Sequence, residues 1–137
     1  MIIITFGTYD LFHIGHLNLL KNCKNVCDEE NTLIVGVSSD ELNYKKKQKY
    51  PIIPLNDRMD IVNSLDIVDF VFIEHSLEDK LKYCIDHKAD VLIMGSDHVG
   101  KFDYLKNYGI HVFYTPRTEN VSTTDIINKI VDEYSKI

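Results

Sequence analysis

Three short stretches carry residue types that can do chemistry on phosphates: 6-FGTYDLFHIGH-16, 45-KKKQK-49 with Arg58 beyond it, and 116-PRTENVSTT-124. In the first, His13 and His16 stand three apart, so at a helix start both imidazoles lie on one face of the first turn, beside backbone N–H groups that bind anions. Gly15 between them leaves room for a ligand against the backbone. Lone histidines near helix starts are most often solvated or structural, and a zinc site needs three or four ligands where no other Cys/His cluster is apparent. Spacing alone leaves the core, metal and phosphate readings of the pair open. In the second stretch, five of the 15 Lys and Arg residues of an acidic chain fall between positions 45 and 58. A lysine run is ordinarily solvated surface, yet a phosphate-binding flap has the same composition. In the third, Arg117 can meet a phosphate with two parallel N–H groups, and Ser122, Thr123 and Thr124 offer hydroxyls and amides at a helix start. As structure alone, Ser122 is an N-cap and Thr124 an ordinary first-turn residue.

The elements that position these stretches follow from periodicity. Ile2 to Phe6 is β-branched and aromatic and stops at Gly7, which suits a buried strand. From His13 to about Cys27, Ile14, Leu17, Leu20 and Cys27 recur at helical spacing. Thr32 to Val37 predicts a second strand, a polar loop follows, and Asn56 to Leu65 reads as a helix. Val68 to Ile73 is a third strand, and Ser76 with Asp79 forms a weak capping box ahead of an apolar stripe of Leu77, Leu81 and Ile85. Val91 to Met94 and His111 to Tyr114 complete the strands, with one or two helical turns from Phe102 to Asn107 between them. Ser122 with Asp125 opens a last helix carrying Ile126, Ile127, Ile130 and Val131. Strands alternating with helices predict a parallel α/β sheet covered on both faces. Ligands of such sheets bind outside the carboxyl ends of the strands, here the loops after Phe6, Val37, Ile73, Met94 and Tyr114. The three chemical stretches fall on those loops.

Composition narrows the classes. The 137 residues are 45% hydrophobic and 26% charged, ordinary for one globular domain and free of repeats or linkers. A formal charge of −6 argues against a general nucleic-acid binder. Cys23, Cys27 and Cys84 are odd in number and lack C-x-x-C spacing, which fits thiols in a reducing compartment. No apolar run approaches the roughly 18 residues of a membrane span, and the apolar start is too short for a signal peptide.

Taken together, 7-GTYDLFHIGH-16, 47-KQK-49 ahead of Arg58, 94-MGSDHVGKFDYL-105 and 117-RTENVSTT-124 resemble the small cytidylyltransferases over nearly the whole chain. The H-x-G-H tetrapeptide by itself marks a wider nucleotidyltransferase superfamily, and the R-T-E-x-x-S-T-T segment is the more specific part. The resemblance implies a single domain over 1–137 with a Rossmann-like, five-stranded parallel sheet and helices on both faces. It implies transfer of CMP from CTP to an alcohol phosphate, glycerol 3-phosphate first among the acceptors, with Mg²⁺ carried on the triphosphate and no metal site of the protein's own. A cytoplasmic homodimer, without nucleic-acid or membrane partners, is implied as well.

Residue by residue, the resemblance implies that Thr8 and Tyr9 touch CTP through their backbone and that His13, Ile14, Gly15 and His16 hold its phosphates. Lys49 would bind CTP, and Lys47, counted back from Arg58, the acceptor phosphate; counting forward from Asp40 gives Lys46 instead. Lys80 matches a second acceptor lysine, and Asp97 sits near the nucleotide. Arg117, Thr118, Glu119, Asn120, Val121, Ser122, Thr123 and Thr124 complete the CTP set. His13, His16, Lys49 and Arg117 would carry catalysis, with Asp10 and Arg58 in support. Asn120 stands where the family typically has Gly, and Pro51 to Pro54 replaces a more polar stretch. An adenylyltransferase of similar size, a cytidylyltransferase for phosphoethanolamine, phosphocholine or a polyol phosphate, and a non-catalytic CTP-binding domain are the competing readings.

Overall fold

A computed structural model describes residues 1–27 and 30–135. Five parallel strands, β1 (Ile2–Gly7), β2 (Thr32–Ser38), β3 (Phe70–Glu74), β4 (Val91–Gly95) and β5 (His111–Thr115), lie in the order β3-β2-β1-β4-β5. The chain therefore winds outward from β1 in both directions, and the crevice between β1 and β4 at their carboxyl ends is the topological switch point. The strands read as continuous apolar runs because alternate residues serve opposite faces. Ile3, Val35 and Ile93 face a cluster with Leu20, Cys23 and Val62, whereas Ile4, Ile34 and Leu92 face one with Cys84 and Leu105. The first face is covered by α1 (Ile14–Lys24) and α3 (Leu55–Asn63), the second by α4 (Lys80–Asp86) and a 3-10 helix (Asp103–Tyr108). Gly36 lets the Phe6 and Phe72 rings close over β2, since a Cβ there would come within 2.6 Å of Phe6.

Two expectations are corrected. The polar loop after β2 is largely a helix, α2 (Asp40–Lys47). Ser39 caps its start by accepting the Leu42 N–H at 3.0 Å, acidic Asp40 and Glu41 occupy the first turn and Lys45, Lys46 and Lys47 the last, and Gln48 ends it in the left-handed region. Its caps and charges form it, and with only Leu42 and Asn43 buried it shows no apolar stripe. The Ser76 capping box does not form. The Ser76 hydroxyl bonds Glu78 at 2.6 Å instead, α4 starts after Asp79, and Leu77 and Ile85 are exposed while Lys80 and Cys84 turn inward. The last helix, α5 (Thr123–Tyr134), forms as predicted; none of its residues is fully buried, and Ile130 and Val131 are exposed.

Candidate active site

The turn after β1 is held in an unfavourable shape. Tyr9 and Leu11 adopt φ of 57° and 48°, where a side chain costs about 1–2 kcal/mol each. Tyr9 keeps that conformation because its ring is buried beneath Gly7, whose added Cβ would lie 2.8 Å from the ring. The reversal delivers His13 to the N-cap of α1. There the His13 Nδ1 accepts the Gly15 N–H at 3.1 Å, and the His16 Nδ1 accepts the His13 N–H at 3.2 Å. This is a reciprocal capping box built from two imidazoles in place of the usual hydroxyl and carboxylate. Because both Nδ1 atoms accept, each neutral ring carries its proton on Nε2.

The rings stack with centroids 3.7 Å apart, a spacing that two imidazolium ions would resist. Burial pushes His16 down to about 4, the neighbouring His13 adding to the effect and Asp10 opposing it. Burial, then the Arg117 guanidinium, lowers His13. Both residues are thus uncharged N–H donors at neutral pH. The space above Gly15, which the sequence reading reserved for a ligand, is filled by the His13 ring: a Cβ would fall 2.9 Å from its Cε1. Gly15→Ala therefore displaces the imidazole, and steady-state kinetics should show turnover lower by about 10- to 100-fold. A variant as fast as the wild type would mean that the His13 position is not needed.

Three residues anchor the basic segment to this turn. The Asp10 carboxylate accepts the N–H groups of Ile52 at 2.8 Å and Ile53 at 2.9 Å, so the Pro51 to Pro54 stretch is pinned across 42 residues of sequence. Arg58, fully buried, donates to the carbonyls of Ile53 (2.8 Å), Thr8 (2.8 Å) and Ser38 (2.9 Å) and to Asp40 Oδ1 (2.6 Å). Asn43, which the sequence reading missed, is buried and accepts from the Thr8 hydroxyl at 3.2 Å while donating to the Lys49 carbonyl at 3.1 Å. A buried Asn in an otherwise polar helix carries no periodic signal by which to find it. Lys47 and Lys49 are exposed, and Lys46 is the lysine that reaches the sheet edge, its Nζ donating to Ser38 Oγ at 3.2 Å. Lys80 is buried, paired with Glu74, its Nζ 3.9 Å above the Phe6 ring.

The third stretch meets the first across the switch point. Ser122 caps α5 by accepting the Asp125 N–H at 3.0 Å, as the sequence predicts. The Thr123 hydroxyl donates to the Asp10 carbonyl at 3.0 Å and lies 3.4 Å from His13 Nε2, from which its oxygen can accept a hydrogen bond. Thr118 accepts from Asn18 at 3.0 Å and Thr115 from Asn22 at 2.8 Å, so α1 is stitched to the loop after β5. Asn120 adopts φ of 61°, the left-handed turn that Asn tolerates in place of Gly. Val121 packs near Gly15, while Ile14, Glu119 and Thr124 are exposed. Arg117 and Asp97, both exposed, approach to 4.0 Å. The N-termini of α1 and α5, two neutral imidazole donors and one guanidinium thus converge, an arrangement suited to an extended polyanion. The two charged lysines at positions 46 and 80 lie toward β2 and β3.

A family model described as cytidylyltransferase-like matches residues 4–129. The chain is 44% identical over 124 residues to the glycerol-3-phosphate cytidylyltransferase of Bacillus spizizenii, covering 90% of this chain and 92% of that one. It is 37% identical to the enzyme of the same name from Staphylococcus aureus, with 98% of each chain covered. Among solved structures, the lipopolysaccharide core biosynthesis protein of Thermoplasma volcanium superposes with a TM-score of 0.70 at 26% identity, over 88% of this chain and 98% of that one.

Proposed function

This chain belongs to the cytidylyltransferase-like family, and from that premise we propose that it transfers CMP from CTP to sn-glycerol 3-phosphate, giving CDP-glycerol and pyrophosphate. The observation that carries the chemical reading is the paired imidazole cap at the start of α1, facing the start of α5. An oxygen of the acceptor phosphate attacks the α-phosphorus of CTP in line. The bond from that phosphorus to the bridging oxygen of pyrophosphate breaks, and pyrophosphate leaves with the electron pair. The attacking oxygen is already ionised at neutral pH, so no general base is required. The His13 and His16 Nε2–H groups, the α1 and α5 amides, Lys49 and Arg117 would stabilise the charge that develops on the phosphoryl oxygens and the leaving group.

In this reading Mg²⁺ would be carried on the triphosphate, where it would supply charge neutralisation. Both Asp10 oxygens already accept backbone N–H groups, and among the described residues no group of three His, Cys, Asp or Glu side chains is placed to hold a metal ion. For the acceptor phosphate, Lys46 is the direct contact in this reading and Lys80 supplies charge from beneath, enclosed by Glu74 and Phe6. Lys46→Ala should raise the acceptor KM about tenfold or more and leave the CTP KM near wild type, with Lys45→Ala nearly silent. If Lys47→Ala has the larger effect, the count back from Arg58 is the right one.

Among the described residues no helix is long and apolar enough to cross a membrane. A cytoplasmic setting is supported by the buried Cys23 and Cys84 thiols, and a homodimer by the apolar residues that α5 leaves exposed. Pyrophosphate release from each of the four nucleoside triphosphates, against glycerol 3-phosphate, phosphoethanolamine, phosphocholine and a polyol phosphate, tests the function. Preference for CTP with glycerol 3-phosphate is the expected result, and preference for ATP would overturn it.

A further inference from the structure

Glu74 ends β3 at the sheet edge and is 1% exposed. One of its oxygens pairs with the Lys80 ammonium; the other accepts the Ser38 hydroxyl at 3.1 Å. The same hydroxyl oxygen accepts from Lys46 Nζ at 3.2 Å. A single buried carboxylate therefore orders two ammonium groups, one directly and one through a hydroxyl. Both residues at the ends of this chain come from outside β3: Lys80 from the first turn of α4 and Lys46 from the last turn of α2.

The arrangement is more than a buried ion pair requires. A carboxylate and one lysine would be neutral, whereas this cluster keeps a surplus positive charge at the carboxyl edge of the sheet. Burial lowers Lys80, and Glu74 opposes that shift; the same two influences act on Lys46, with Lys47, Lys80 and Arg58 lowering it further. His98, in the 3-10 turn (Ser96–His98) after β4, is lowered by burial, then by Lys101, with Lys80 and Lys46 contributing and Asp97 opposing. Cys84 is the remaining titratable group that Lys80 faces. A surplus of this kind is matched by an anion.

We propose that Glu74 is a positioning residue for the acceptor phosphate, holding Lys80 directly and Lys46 through Ser38 as a matched pair of ammonium groups. The inference rests on the assignment of an alcohol phosphate as the acceptor. Glu74 does not touch the substrate. Its effect passes through the two lysines, so it separates the two substrates kinetically: the acceptor feels its loss and CTP does not.

The test uses Glu74→Gln, which keeps shape and acceptor oxygen but removes the charge, and Ser38→Ala, which removes only the link to Lys46. Each is assayed by steady-state pyrophosphate release and by calorimetric titration with sn-glycerol 3-phosphate. Glu74→Gln should raise the acceptor KM about 30-fold and Ser38→Ala about tenfold, with the CTP KM within about threefold of wild type. Unchanged acceptor KM in a folded Glu74→Gln, or equal rises for both substrates, overturns the proposal. Should Glu74→Gln fail to fold, Ser38→Ala decides by the same criterion. A wild-type protein that releases no pyrophosphate defeats the function reading instead. Titration then still judges Glu74, since binding of sn-glycerol 3-phosphate must weaken in the variants by the stated factors.

Discussion

His16→Ala lowers turnover by about 10²- to 10³-fold, the usual loss when one donor to a developing oxyanion is removed. The ring acts twice in this site. Its Nδ1 accepts the His13 N–H and so fixes the turn, and its proton therefore sits on Nε2, the donor that the proposed mechanism uses. An alanine removes both functions, and it also takes away the ring against which His13 stacks. His16→Asn separates them, because an amide can restore the cap without supplying the imidazole donor at the same place. Steady-state rates of pyrophosphate release measure the effect, and wild-type turnover in His16→Ala would remove the residue from the mechanism. The same ring sets an acid limit to stability. Between the ordinary imidazole value and about 4, the unfolded chain binds a proton that folded His16 refuses. Unfolding is therefore increasingly favoured as pH falls through that window, and the contribution is fully present above about 6.5. Melting temperature followed from pH 7 to 5 should fall more steeply in wild type than in His16→Asn.

Arg58→Met is expected to lower stability by about 3–5 kcal/mol, because three backbone carbonyls and a partly exposed carboxylate lose the one buried donor they share. The thioether fills much of the same volume but leaves the carbonyls of Thr8, Ser38 and Ile53 and the Asp40 carboxylate without their donor. For a domain of this size the melting temperature should drop by about 10–15 °C. Arg58→Lys recovers little, since an ammonium cannot present the planar fork that reaches four acceptors in three directions. A melting temperature within about 2 °C of wild type in Arg58→Met would show that the four segments hold without the guanidinium.

The alternation of strands and helices was legible because both faces of the sheet are covered, which makes the strands continuous apolar runs that end sharply at Gly7 and Gly95. The N-cap at Ser122 and the left-handed Asn120 were legible for similarly local reasons. Helix α2 was not, since it is formed by its caps and end charges and buries only Leu42 and Asn43. Within the site, spacing placed His13 and His16 on one turn but could not tell that their Nδ1 atoms face the backbone. The lysine that reaches Ser38 was open for a comparable reason: a residue's place in a helical last turn depends on where the helix starts, and that start was unseen. Glu74 and Asn43 were invisible because each ties a partner six residues further along the chain to one that lies 36 and 35 residues back, respectively.

The two-imidazole cap also bears on how the site treats water. Each ring has committed its basic nitrogen to a backbone N–H, so neither presents a lone pair to the bound ligand. Histidines arranged in this way cannot relay protons between substrate and solvent. In heavy water they impose no primary isotope effect, and turnover responds only to exchange at the hydrogen bonds themselves.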